Sequence, residues 1–339
     1  MLSFTASLPL RYFLAVCGAA SVQGSILIWC RDHRMHHRYV DTPRDPYNVK
    51  KGILWSHMGW LIFKPDPKLV GHVDVSDLHN DPVVVWQHRN FPILCIFMSY
   101  ALPCIIGGLG WGDGFGGLLY AGIIRTFLFQ QSTNCVNSLA HYLGDQPYAD
   151  GHSSRDHILT ALLTFGEGYH NFHHEFPCDY RNGIRWFDYD PTKWSIRFWN
   201  RIGLAADLQE FAPNEINKAL FQQKQKRLRA LEKKIAWGPA LETLPTYTWD
   251  EFERLASRKV NPLNLICVAG VIYNVKPFLE RHPGGRSLLL SYVGKDATAS
   301  FNGGIYNHTK AARNLLDTMR FGVLRGGTRV ESLRKTIRA

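Results

Sequence analysis

Three histidines fall within five residues at His33, His36 and His37, and the same spacing, HxxHH, returns at His170, His173 and His174. On a helix, positions i, i+3 and i+4 share a face, so each box points three imidazoles the same way. Neutral imidazole is a ligand for zinc, iron and copper. With 15 histidines in 339 residues, only about 0.03 chance occurrences of this spacing are expected, so two boxes are a specific signal. The stretch NCVNSLAHYLG adds Asn137 and His141, one helical turn apart. Seven histidines exceed the needs of one ion, so a two-metal site follows. Few carboxylates and no cysteine belong to the boxes, which disfavours a structural zinc site and the Glu-rich soluble di-iron bundle. A separate pair, His282 in HPGG and His308, stands 26 residues apart near the C-terminus. Two histidines on separate helical segments around an apolar pocket can clamp a haem iron from both faces. Gly284 and Gly285 allow a tight turn beside the ring.

The elements that must position these groups are legible from polarity. Tyr12 to Cys30 is nearly uncharged and reads as a membrane span, a buried helix or a signal peptide without the usual basic start. Residues 31 to 90 are polar and rich in His, Asp and Pro. Phe91 to Gly110 holds 20 residues without a charge, which matches a bilayer span. Phe115 to Leu139 is a second candidate, interrupted by Arg125, which is expected to face the protein interior. The connector WGDGFGG carries no Lys or Arg, whereas Arg89 and Arg155 flank the pair. The positive-inside rule then gives a hairpin with both ends cytosolic and both histidine boxes on one membrane face. Residues 214 to 236 repeat apolar residues at helical spacing among Lys and Arg, a basic amphipathic helix suited to a linker or to anionic lipid. LICVAGVIYNV reads as two short strands around a Gly turn, opening a small α+β segment.

Composition bounds the partners. The net charge is +11, from 39 basic and 28 acidic residues, which suits nucleic acid or an anionic membrane surface. No zinc-finger or RNA-binding signature is present, so membrane lipid or an acidic substrate is favoured and nucleic acid is not expected. Seven scattered cysteines without a CxxC read as reduced thiols. A histidine-rich pair of irons at a membrane surface suits dioxygen activation against an unreactive lipid.

RDHRMHHRYVDTPRDPYN, SHMGWL, NSLAHYLGDQPY and TFGEGYHNFHHEFPCDYRNGIRWFDYDPTKW come in an order and spacing that resemble the membrane-bound acyl-CoA Δ9 desaturases of fungal layout. Residues 245 to 325 resemble the cytochrome b5 family. The resemblance implies a mainly α membrane-bound desaturase with a partial histidine-box di-iron site, plus a small α+β haem domain. It implies an enzyme of the endoplasmic reticulum membrane, with its soluble parts cytosolic. That enzyme uses dioxygen and two electrons to insert a double bond into a saturated acyl-CoA. It implies two irons and haem b as cofactors, and cytochrome b5 reductase as electron donor. By position, His33, His36, His37, His141, His170, His173 and His174 match iron ligands, and Asn137 matches a residue that reaches iron through water. Arg31 and Asp32 match contacts to the CoA head. Gln23, Trp29 and Thr133 match the kink of the acyl tunnel.

The chain departs from that family in one respect. No HxxxxH box precedes His33, so two expected ligands and a first hairpin are not present, and His57 and His72 do not replace them by position. The expected layout is a desaturase domain at 1–210 lacking its first hairpin, a basic helical linker at 211–244, the haem domain at 245–325 and a basic tail at 326–339. The competing expectations are a related di-iron hydroxylase, or a catalytically incomplete, membrane-anchored electron carrier of cytochrome b5 type.

Overall fold

The structure is a computed structural model and describes residues 3–64, 66–303 and 307–326. It divides into two units, Met1–Leu228 and Arg229–Ala339. The expected basic tail lies, beyond Gly326, outside the described residues.

The uncharged run from Tyr12 to Cys30 is not one span. The helix Leu8–Ala19 is 12 residues long, ~18 Å, well short of the ~30 Å hydrocarbon core of a bilayer. Val22 (φ 57°) and Gly24 (φ 88°) then turn the chain. A second helix, Ile26–Tyr39, follows, with the Ser25 side chain accepting from the Ile28 amide at its N-terminus. The first histidine box occupies the C-terminal half of this helix.

Phe91 to Gly110 lies inside a 30-residue helix, Pro82–Trp111, with a mean hydropathy of 2.0 over its most apolar window. Among the described residues it is the one helix long and apolar enough to cross a membrane. It starts sharply because the Asp81 carboxylate accepts from the amides of Val83 and Val84 and Pro82 opens the first turn. Its first half packs on Leu8–Ala19 and Ile26–Tyr39. Ile93, Ile96, Phe97, Ile105, Ile106 and Leu109 stay exposed along the remainder, a surface that suits lipid.

The chain reverses at Gly112 (φ 73°), where the Asp113 side chain accepts from the Gly116 amide. Residues 114–137 return as a continuous run of α and π turns. Glycine lets the two helices touch: a Cβ on Gly117 would stand 2.4 Å from the Pro103 carbonyl oxygen. The expected second span is helical, yet only its first half is apolar. Arg125, Gln130, Gln131, Ser132, Thr133 and Asn134 make the second half polar, which is why the run falls short of a membrane-crossing composition. Arg125 does turn inward, donating to the Ala20 carbonyl (2.7 Å) at the end of Leu8–Ala19. The polar half packs on the π turn Trp55–Gly59 and on the helix Ile158–Leu163, and delivers the chain to the 3-10 turn Leu139–His141.

The basic amphipathic segment forms the helix Pro213–Glu232, shorter than the periodicity suggested. Ile216 and Ala219 bury against Phe172 and Phe176, beside the second histidine box.

The second unit is built on a four-stranded sheet in the spatial order Thr246–Tyr247, Arg320–Leu324, Val271–Asn274, Leu265–Val268. The two strands read around a Gly turn pair antiparallel, through Ala269 (φ 53°) and Gly270 (φ 78°). Their alternation buries Leu265, Cys267 and Ile272 on one face with Phe252. Ile266, Val268, Val271 and Tyr273 bury on the other, with Leu279 and Leu316. The segments carrying His282 and His308 pack on this second face.

Candidate metal centre and haem pocket

The seven histidines of the boxes and of the turn Leu139–His141 converge in two adjacent sets. His36, His141, His170 and His174 form one, and His33, His37 and His173 the other, with one ligand nitrogen from each member within 4.8 Å of the rest of its set. The boxes divide between them in opposite ways. Positions i and i+4 project about 40° apart on a helix, whereas i+3 lies on the other side of that pair. So His33 and His37 stay together while His36 goes to the other set; His170 and His174 stay together while His173 crosses over. The His37 and His174 rings stack at 4.3 Å where the sets meet.

Their nitrogens face one another. His36 Nε2 lies 3.2 Å from His174 Nε2, and His174 Nε2 lies 3.0 Å from His170 Nε2. In the second set, His37 Nε2 is 3.1 Å from His33 Nε2 and 3.0 Å from His173 Nε2. Imidazole nitrogens ~2.0–2.1 Å from a shared ion stand ~2.9 Å apart at a right angle and ~3.4 Å apart at the tetrahedral angle. The observed spacings fall inside that range.

The tautomers agree. His36 Nδ1–H donates to Asp45 (2.9 Å), leaving its Nε2 lone pair aimed into the set. Ser153 spends its hydroxyl proton on Asp41 (2.5 Å), so its Oγ accepts from His141 Nδ1 (2.8 Å). His141 Nε2 is then a buried lone pair without a protein partner, on a residue only 4% exposed. Asp41 and Asp45 belong to one tight turn: Asp41, at φ 62°, donates its own amide to Asp45 (3.0 Å). One loop thus orients two imidazoles of the same set, as outer carboxylates do around metal-bound histidine. The second box sits on the short helix His170–Glu175. Asp156 caps that helix, accepting from the Asn171 and Phe172 amides (2.8 and 3.2 Å). Burial pushes the Asp156 carboxyl up to about 7.

Burial first, and the neighbouring imidazoles second, hold His33, His37, His141, His170 and His174 below the ordinary histidine range. His173 is lowered to about 4 by burial and then by His36. The folded state therefore keeps neutral rings that an unfolded chain would protonate near pH 6.5. Folded values that are depressed mean stability present above about pH 6.5 and lost as pH falls toward 4. The melting temperature of the first unit and its retained metal are expected to fall together across that window. Differential scanning fluorimetry with metal analysis after desalting at pH 7.5, 6 and 5 checks it.

The substrate positions divide into two groups. Gln23 Nε2 donates to Thr133 Oγ1 (2.7 Å), tying the start of the first box helix to the return helix. Trp29 stacks on His33 at 4.8 Å, so it lies against the three-imidazole set. Arg31 and Asp32 pair with each other at 2.8 Å, with Arg31 exposed. Asn137 closes the helix Arg125–Asn137, half-buried, one turn before His141. A cleft of about 420 Å³ lined by Arg34, Arg38 and Asp74 opens on His37 and His174. Neither His57 nor His72 joins a set. Spacing did not reveal Asp41, Asp45 or Ser153, which act across the fold.

In the second unit a cavity of about 530 Å³ is lined by Phe278, Leu288, Leu289, Phe301, Leu315 and Met319 and carries His282 and His308. The two imidazoles face each other with ring centres 6.4 Å apart and planes 30° apart. An iron held by both, with bonds of ~2.0 Å and nitrogens roughly 1.1 Å from each ring centre, needs about 6.2 Å. His308 Nδ1–H donates to the Phe301 carbonyl (3.0 Å), which turns Nε2 toward the cavity. A Cβ on Gly284 would come within 2.9 Å of the His282 ring, so the glycine is required there. The cavity fits a flat apolar macrocycle ligated on both faces.

Comparison with known proteins finds two domain families along the chain. Residues 3–198 match the fatty acid desaturase family, and residues 248–325 match the cytochrome b5-like haem/steroid-binding domain. The chain is 51% identical over 329 residues to a probable acyl-CoA desaturase of Schizosaccharomyces pombe, covering 97% of this chain and 67% of that protein. It is 47% identical over 323 residues to acyl-CoA desaturase 1 of Saccharomyces cerevisiae, covering 95% and 63%. It is 38% identical over 209 residues to human stearoyl-CoA desaturase 5, covering 60% and 63%. The chain therefore spans about two thirds of the length of these relatives. On the family match, the converging histidines and the bis-histidine cavity together, this chain belongs to the membrane-bound fatty acid desaturase family and carries a C-terminal cytochrome b5-like domain.

Proposed function

We propose that the chain serves Δ9 desaturation of saturated acyl-CoA, at the endoplasmic reticulum membrane, with electrons passed from cytochrome b5 reductase through the haem domain. The observation that carries this reading is the convergence of seven inward-facing imidazoles in a chain that also holds a bis-histidine haem cavity. The overall change is –CH2–CH2– plus O2, two electrons and two protons to –CH=CH– plus two waters. Two bound irons would supply the activation of dioxygen.

The chain's own residues do the rest. His36, His141, His170 and His174 would hold one iron, and His33, His37 and His173 the other, with Asn137 near through water. Asp45 and the Ser153–Asp41 pair keep the ring protons on Nδ1, so that Nε2 stays a ligand. Trp29 walls the acyl tunnel beside His33, and the Gln23–Thr133 bond fixes its bend. That placement would present chosen methylenes and keep bulk water away from them. Arg31, exposed and paired to Asp32, offers a guanidinium to the CoA phosphates. His282 and His308 would hold the haem from both faces, and a haem so held would supply electron transfer rather than oxygen binding. Covalent fusion to the acceptor domain raises its effective concentration there. The spanning helix and its return would place both histidine boxes on the cytosolic side.

The acyl-CoA assignment is tested by binding. Arg31→Ala is expected to weaken stearoyl-CoA about tenfold, the order of one lost charge-assisted contact, while leaving free stearate unchanged. Isothermal titration with the two ligands distinguishes the cases; equal weakening of both would remove the CoA role.

A further inference from the structure

Resting on the two-metal reading, we propose that His57 is a positioning residue that fixes His141 in the four-imidazole set. His57 lies on the π turn Trp55–Gly59, outside both sets. Its ring bridges two points of the return run: Nδ1 is 2.9 Å from Ser138 Oγ and Nε2 is 3.0 Å from Gln131 Oε1. Ser138 is fully buried, and its hydroxyl donates to the Asn134 carbonyl (2.8 Å). The oxygen can then only accept, so His57 Nδ1–H is the donor, and its Nε2 lone pair accepts from the Gln131 side-chain amide turned to present its NH2.

Ser138 is where the geometry changes. The helix Arg125–Asn137 ends there, at φ −108° and ψ −73°, and the turn Leu139–His141 begins. The His141 amide donates to the Ser138 carbonyl (3.1 Å). A short chain of bonds thus runs from His57 through Ser138 to His141. His141 needs it more than its partners do. The other three members come from the boxes, where helical spacing holds them, whereas His141 hangs on a single turn beyond a helix end. Helix ends leave carbonyls without intrahelical partners and loosen unless tied. The same strap braces this set a second time: Trp60, next after the π turn, packs edge-on against Tyr47 at 4.6 Å, and Tyr47 lies 5.3 Å from His36.

The test uses the full chain in detergent, stripped of non-haem metal and titrated with isotope-enriched iron(II) against a chelator. Haem absorbance serves as the measure of intact protein, and Mössbauer spectra report the non-haem iron alone. His57→Ala is expected to weaken the tighter iron 10- to 100-fold, the usual cost of a lost outer partner, and to change its quadrupole splitting. His57→Asn, whose amide can replace Nδ1–H, should recover binding to within about threefold. Ser138→Ala should match His57→Ala, and the double variant should be no weaker than either, because all remove one connection. Wild-type affinity and spectrum in His57→Ala overturn the proposal, as do effects of His57→Ala and Ser138→Ala that multiply. If His57→Ala does not accumulate, the Ser138→Ala and His57→Asn results decide alone. A wild-type chain that binds no tight iron sinks the two-metal reading instead.

Discussion

His282→Ala and His308→Ala are each expected to abolish the low-spin bis-imidazole haem spectrum of the purified chain. The two rings face each other across the cavity at the separation one iron requires. His308 is oriented from behind by its bond to the Phe301 carbonyl, and the lack of a side chain at Gly284 leaves room for the His282 ring. With either ring removed, a bound haem would lose one of the two side chains placed to hold it and would no longer be kept as a closed electron carrier. The apolar lining should still retain some haem, so the loss is read from the low-spin bands rather than from total absorbance. Leu315→Ala, by contrast, should keep the spectrum and lower only haem retention. Low-spin spectra persisting in both histidine variants would show that other residues ligate the iron.

His174→Ala should remove the tighter non-haem iron and lower any desaturation by two orders of magnitude or more. His174 is the hub of its set, 3.2 Å from His36 and 3.0 Å from His170 by Nε2, and its ring also stacks on His37 of the other set. Its loss takes one ligand from the first ion and a wall from the second. Asp45→Ala touches no metal position, yet it frees His36 to change tautomer; it should cost 10- to 100-fold in iron affinity. Iron per haem, measured on the same samples, separates these outcomes. Equal iron content in wild type and His174→Ala would remove His174 from the ligand set.

The boxes were legible because HxxHH is a local pattern: within a helix, spacing alone places rings on one face. Their division between two ions was not, because it depends on how two helices oppose each other. Asp41 and Ser153 are 112 residues apart and meet only through a turn with a positive φ, which no helical or strand periodicity announces. Phe91–Gly110 was visible as a run without charges, but its true start at Pro82 lies in a segment whose polar Gln87, His88 and Arg89 read as loop. The opposite error occurred at Tyr12–Cys30, where low charge concealed a break at Val22 and Gly24. The HPGG segment and His308 identified the haem cavity, while the Phe301 carbonyl that orients His308 is a backbone group and leaves no trace in residue type.

The most direct measurement is acyl analysis in a yeast host lacking its own Δ9 desaturase and carrying this chain preceded by the N-terminal segment of the Saccharomyces cerevisiae relative. That segment is included because the His33, His37 and His173 set offers three imidazoles among the described residues, and an ion so held keeps open positions. The account predicts palmitoleate and oleate in the lipids, lost with His173→Ala, His174→Ala or His282→Ala. Absence of both products, in cells whose protein shows bound non-haem iron and a low-spin haem spectrum, would contradict it and leave an electron carrier in its place.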